Sequence, residues 1–172
     1  MSELNPIIVT GFMGSGKTTV AEALSRLLGC AMIDLDRFIT ERTGRSPREI
    51  IEQDGEPAFR EIETRFLSEV LATGAARVLA LGGGAWTVAQ NRSLIEEHHG
   101  QAVWLDAPFE VCWQRIAASG SERPLARDRE QARSLYQSRK PIYQLAALRV
   151  ETSEGLSAEV TASQINAALG RR

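Results

Sequence analysis

The sequence predicts a three-layer α/β/α fold, a five-stranded parallel sheet with helices on both faces. Short apolar runs alternate with longer segments of helical pattern along the chain, the order that winds a parallel sheet on both sides. The first apolar run leads straight into a glycine-rich loop and then a helical pattern. At 172 residues the chain fits one domain, 1–172, with a single sizeable core.

The elements follow in order. Ile7–Thr10 reads as the first strand, and Val20-Ala21-Glu22-Ala23-Leu24 opens the first helical pattern. Ala31–Asp34 is the second strand. Ser46-Pro47-Arg48-Glu49 is a capping box with proline at the first helical position, and Gly55 supplies the stop. Glu56–Thr73 carries Phe59, Ile62, Phe66 and Val70 at spacings of three and four, an amphipathic helix. Arg77–Leu81 is the third strand, running into Gly82-Gly83-Gly84. Thr87-Val88-Ala89-Gln90 reads as a second capping box, opening a helix that ends near Gly100. Gln101–Leu105 is the fourth strand, and Asp106-Ala107-Pro108 starts a helix ending near Gly120. Ser119–Asp128 is polar and broken by Gly120 and Pro124, a mobile loop between two helices. Leu148–Thr152 is the fifth strand.

Composition narrows the function classes. Hydrophobic residues make up 43% of the chain and charged residues 24%, ordinary for a soluble globular protein. A formal net charge of −2 gives no basic footprint, so no nucleic-acid partner is expected. Cys30 and Cys112 form no C-x-x-C pair and no metal-ligand spacing, which fits free core thiols in a reducing compartment. The first strand begins within a few residues of Met1, leaving no room for a signal peptide. No stretch approaches the length that spans a bilayer, so the expectation is a cytoplasmic chain with no membrane partner.

Gly11-Phe12-Met13-Gly14-Ser15-Gly16-Lys17-Thr18 fills every fixed position of G-x-x-x-x-G-K-[ST], between a strand and a helix as that motif requires. Backbone N–H groups of such a loop converge on a polyphosphate at the positive end of the following helix. Lys17 then reaches the β- and γ-phosphates and Thr18 ligates Mg²⁺, so the chain is expected to bind a nucleoside triphosphate.

Ligands of open α/β sheets collect beyond the carboxyl ends of the strands, where this chain carries the loop, Asp34-Leu35-Asp36 and the glycine triplet. Strand alternation puts Asp34 and Asp36 on one side, where one holds Mg²⁺ through water and the other orients an acceptor hydroxyl and takes its proton. The competing reading is that either aspartate caps the next helix. Asp106, just before Ala107-Pro108, reads as a helix cap rather than a metal ligand. Three glycines at a strand end permit close backbone approach to a ligand or form a plain flexible turn. Arg60 is either an i,i+4 partner of Glu56 or an anion ligand; Arg139 and Arg123 are equally open between solvated cation and ligand.

Taken together, the loop, Asp34-Leu35-Asp36, Thr43-Gly44-Arg45-Ser46, Asp54-Gly55-Glu56, Phe59-Arg60-Glu61-Ile62-Glu63, Gly82-Gly83-Gly84-Ala85, Arg123-Pro124-Leu125 and Arg139-x-Pro141-x-Tyr143 resemble the shikimate kinase family. The likeness runs in order from about residue 7 to residue 152. It implies a P-loop, nucleoside-monophosphate-kinase-like fold with substrate-binding helices about 36–66 and a mobile lid about 115–129. It also implies transfer of the ATP γ-phosphoryl group to the 3-hydroxyl of shikimate, in aromatic amino-acid (chorismate) biosynthesis, with Mg²⁺ as cofactor and a monomeric enzyme. Carried over residue by residue, Gly14, Ser15, Gly16, Lys17, Thr18, Thr19 and Arg123 contact the nucleotide, and Lys17, Asp36 and Arg123 are catalytic. Asp36 binds substrate hydroxyls, Arg60 and Arg139 bind the shikimate carboxylate, and Gly82 and Gly83 line the same site. Thr18 and Asp34 hold the magnesium. Beyond Arg-Pro-Leu the lid shows no fixed pattern, and Arg115 is a further candidate at the nucleotide.

A sugar-acid kinase such as gluconate kinase shares the loop, the small size and an anionic polyol substrate, but not the glycine triplet with R-x-P-x-Y. A nucleotide-dependent switch calls for Asn-Lys-x-Asp and Asp-x-x-Gly, and neither string occurs. A relative that binds without turnover is disfavoured by intact Lys17, Asp36, Arg60 and Arg139.

Overall fold

Every residue of Ile7–Thr10 is buried, as a strand covered on both faces must be. The computed structural model describes residues 5–120 and 125–170. Among these, β1 (Ile7–Thr10), β2 (Met32–Asp34), β3 (Val78–Ala80), β4 (Gln101–Asp106) and β5 (Leu148–Glu151) form one sheet. Its order is β2-β3-β1-β4-β5 and all pairings are parallel. β1 sits at the centre, with Ile7 in register with Val78 on one side and Gln101 on the other.

Eight helices connect and cover the strands among the described residues: α1 (Lys17–Leu28), α2 (Leu35–Thr43), α3 (Pro47–Asp54), α4 (Glu56–Thr73), α5 (Ala89–Glu97), α6 (Phe109–Ala118), α7 (Arg129–Tyr143) and α8 (Ala158–Leu169). Strand alternation divides the core in two. Ile7 and Val9 pack with Leu24 of α1 and Ile165 of α8. Ile8 packs on the other face with Leu67 and Val70 of α4 and Ile95 of α5. No helix among the described residues is long and apolar enough to cross a membrane.

The capping box at Ser46 forms as read: Glu49 N donates to Ser46 Oγ at 3.2 Å, and Ser46 N donates to Glu49 Oε2 at 2.7 Å. Gly44 ends α2 in the left-handed region at φ 70°. Arg45 then reaches across α3 to Asp54 at 2.7 Å, so the two short motifs that flank this helix brace its two ends.

Three local readings are corrected. Thr87 caps nothing: it closes a 3₁₀ turn (Ala85–Thr87), and its hydroxyl donates to Gly84 O at 2.6 Å, so α5 starts after Val88 without a side-chain cap. Asp106 does not cap α6 either. It ends β4, and its carboxylate accepts from Arg149 Nε on the neighbouring strand at 2.8 Å, leaving Pro108 at the cap position. Finally, β2 stops at Asp34 and Asp36 lies in the first turn of α2, so strand alternation does not relate the two aspartates.

Candidate active site

The loop between β1 and α1 is held in shape by glycines that nothing else could replace. Gly14 has φ 76°, and a Cβ there would stand 2.6 Å from Cys112 O. The start of α1 has no side-chain cap and no acidic residue in its first turn. Its backbone N–H groups and positive dipole end are therefore turned to an anion rather than to the chain itself. Lys17 Nζ donates to Phe12 O at 2.9 Å, curling over the loop it serves. Arg115 of α6 comes from the far side, its Nη1 donating to Gly14 O at 3.1 Å.

Thr18 Oγ1 donates to Asp34 Oδ2 at 2.5 Å, while Asp34 Oδ1 accepts from Arg37 N at 3.2 Å. Asp34 is thus a helix cap and the partner of the loop threonine at once. A hydroxyl and a carboxylate side by side at the mouth of a phosphate loop are hard oxygen donors, the set Mg²⁺ takes together with water and phosphate oxygens.

Beside the loop a cleft of about 370 Å³ is lined by Gly14, Gly16, Thr19 and Arg115 on one wall and by Thr152, Ser153 and Leu156 on the other. The residues after β5 have no motif in the sequence. The pairing of β5 with β4 and the packing of α8 on α1 bring them to the loop.

A second, smaller cavity of about 120 Å³ lies on the opposite side of the loop. Asp36, Arg60, Glu63, Gly83 and Arg139 all line it. Among the contributing elements, α2 supplies Asp36, α3 supplies Arg48, α4 supplies Arg60 and Glu63, the turn after β3 supplies the glycines, and α7 supplies Arg139. The glycine triplet earns its place sterically. A Cβ on Gly82 would lie 2.6 Å from Asp36 Oδ1, and one on Gly84 would collide with the Arg60 guanidinium. Tyr143, buried at the end of α7, donates its hydroxyl to Gly83 O, and Trp86 Nε1 donates to Ile142 O at 3.0 Å. These two bonds bolt the triplet to the R-x-P-x-Y segment. Burial pushes the Tyr143 hydroxyl up to about 12, so it stays a donor.

The i,i+4 reading of Arg60 holds, and a second carboxylate shares the guanidinium. Its Nη2 pairs with Glu56 Oε1 at 3.0 Å, as the i,i+4 spacing suggests, and its Nη1 pairs with Glu63 Oε2 at 2.8 Å. Its side chain is only 16% exposed and lines the cavity. Arg139 is buried as well, so it is no solvated helix-end cation. The motif assigns Glu63 no role, and helix spacing gives no sign that its side chain is completely buried. Leu125 reaches the cavity wall. Arg123 lies outside the described residues.

The arrangement sets two clefts beside the phosphate loop: one near α8, and one lined by fixed cations, two carboxylates and a glycine turn. It can hold a polyphosphate and present a small anionic, hydroxylated molecule to its end. The comparisons agree. The family model described as shikimate kinase matches residues 13–169. A curated shikimate kinase of Cereibacter sphaeroides is 40% identical over 169 residues, covering 96% of this chain and 83% of that protein. The solved structure of a shikimate kinase from Acinetobacter baumannii in complex with shikimate superposes with a TM-score of 0.90 at 37% identity, covering 98% of this chain and 94% of that one. A gluconokinase from Sinorhizobium meliloti 1021, at 18% identity and a TM-score of 0.61, shares the fold alone, over 99% of this chain and 98% of its own.

Proposed function

Because this chain belongs to the shikimate kinase family, we propose that its residues divide the work of one phosphoryl transfer between the two clefts. The enzyme is an ATP-dependent kinase that phosphorylates the 3-hydroxyl of shikimate, giving shikimate 3-phosphate and ADP in aromatic amino-acid biosynthesis. The residue roles are as follows. The loop residues Gly14–Thr19 hold the triphosphate, and the nucleoside lies in the cleft toward Thr152, Ser153 and Leu156, with Arg115 on its wall. Arg60 and Arg139 grip the shikimate carboxylate, for which a planar guanidinium offers a two-bond fork. Gly82 and Gly83 let the substrate approach the backbone closely.

Asp36 orients the 3-hydroxyl and accepts its proton as the oxygen attacks the γ-phosphorus. Lys17 stabilises the charge that develops on the transferring group. Arg123 adds to that stabilisation as a lid residue. Thr18 and Asp34 would hold Mg²⁺, Asp34 through water. When bound, that ion neutralises charge on the β- and γ-phosphates. All of this is one kinase domain working as a monomer. The observation that carries the reading is the meeting of Asp36, Arg60, Gly83 and Arg139 in one cavity next to the loop.

The test is ADP release measured with and without shikimate, and again with gluconate. Shikimate-dependent release supports the reading. Release that depends on gluconate instead would sink it.

A further inference from the structure

Glu63 occupies the substrate cavity and has no part in the chemistry above. It stands one turn past Arg60 on α4, its side chain wholly buried. Oε2 accepts from Arg60 Nη1 at 2.8 Å. Oε1 is buried too and has no hydrogen-bond partner among the described residues. Such a buried oxygen is costly to keep as a bare acceptor.

Charged groups stand around it on α2, α3, α4 and α7. Arg60 shares α4 with it, and Glu56 lies beyond Arg60. Asp36 faces it from α2 and Arg139 from α7, while Arg48 of α3 lines the same cavity. Burial pushes the Glu63 carboxyl up to about 7; Arg60 and Arg139 pull it down and Asp36 pushes it further up. Near neutrality the group therefore carries on the order of half a proton.

We propose that Glu63 takes up one proton from solvent when the substrate carboxylate engages Arg60 and Arg139, so that substrate recognition is coupled to protonation of this side chain. The inference rests on the carboxylate clamp proposed above. A substrate carboxylate is a second anion on the guanidinium that Glu63 already holds. Two carboxylates sharing one cation favour neutralising one of them, and the wholly buried one is the one that gains. The proton comes from the buffer, and no other bond changes. Once neutral, Glu63 releases Arg60's charge to the substrate, and a proton on Oε1 turns its unpaired acceptor into a donor facing the cavity.

The test is calorimetric titration of shikimate into the enzyme, without nucleotide, in two buffers of different ionisation enthalpy. The dependence of the heat on buffer counts protons. The expected result near pH 7 is an uptake of roughly half a proton, growing as pH rises, with Kd increasing by up to about tenfold per pH unit above that point. Glu63→Gln imitates the protonated state, so its uptake should vanish. Its Kd should be flat across the same window and no weaker than wild type at its upper end. Asp36→Asn separates the two carboxylates, since the uptake should survive in it. The chain's two histidines, His98 and His99, line a cleft beside Asn5 and Arg77, away from this cavity, and do not confuse the count.

Binding without proton uptake in the wild type overturns the proposal. So does a Glu63→Gln enzyme that binds more weakly throughout with its uptake intact. If that variant fails to fold, the wild-type heats in the two buffers decide alone. Absence of any shikimate binding condemns the clamp itself, a distinguishable failure.

Discussion

Arg60 answers to two carboxylates of its own helix and is held there before any substrate arrives. A pre-set fork loses little freedom on binding, so its replacement should be felt in affinity rather than turnover. Arg60→Ala or Arg139→Ala should weaken shikimate binding by about 30-fold or more with ATP affinity little changed, because one partner of a desolvated pair is removed. Lysine at either position should restore only part of the loss, since a point charge cannot make two parallel bonds. Titrating each ligand separately checks this, and wild-type shikimate affinity in Arg60→Ala would reduce that residue to its partnership with Glu56. At Asp36 the expectation is reversed. Asp36→Asn keeps the shape and loses the base, so turnover should fall by about 10²-fold or more, measured under saturating substrates. The sequence carried these side chains in legible form because motif positions name the residue type. It could not carry Glu63, whose burial depends on where α2, α3 and α7 close over α4.

Among the elements, the short helix α3 is the clearest case of local chemistry deciding structure. Ser46 and Glu49 satisfy each other's end groups, and Arg45 ties the start of the helix to Asp54 at its finish. Ser46→Ala should cost about 1 kcal/mol of unfolding free energy, read from denaturant melts. A loss near zero would mean that packing alone holds the helix. Tyr143→Phe tests the join between α7 and the glycine turn. It keeps the ring stacked on Trp104 and removes the hydroxyl, which donates to Gly83 O and also meets Arg139. Shikimate KM should rise several-fold with ATP KM unmoved, and equal changes in both would refute a local role. The same bonds explain where local reading ran out. Thr-x-x-Gln at 87–90 has the letters of a capping box, but the glycine turn claims Thr87 for Gly84 O. Asp36 has the spacing of a strand residue, but the cap at Asp34 starts a helix one position earlier.

For the whole molecule, alternating runs were enough to give a parallel sheet with both faces covered, since that inference needs only the order of elements. Strand order and the second wall of the larger cleft were not written in any local pattern. The buried carboxylate also marks the molecule as a whole through its stability. Glu63 titrates at about 7 when folded against an ordinary value of 4.5, so the folded chain holds more protons between those values. The contribution of this group to stability must therefore decline as pH climbs from about 4.5 through about 7, by linkage. Melting temperatures of Glu63→Gln should gain on the wild type across that window and run parallel to it above; a constant gap would place the titration elsewhere. The central position of β1 has a consequence of another kind. Its neighbours on both edges, β3 and β4, are translated long after it. While the ribosome is still making them, the apolar stretch Ile7-Ile8-Val9 has neither edge partner available. Parallel pairing across so much chain is slow to form. The nascent chain therefore carries β1 without either edge partner until β3 and β4 have been made, which leaves this strand open to aggregation during synthesis.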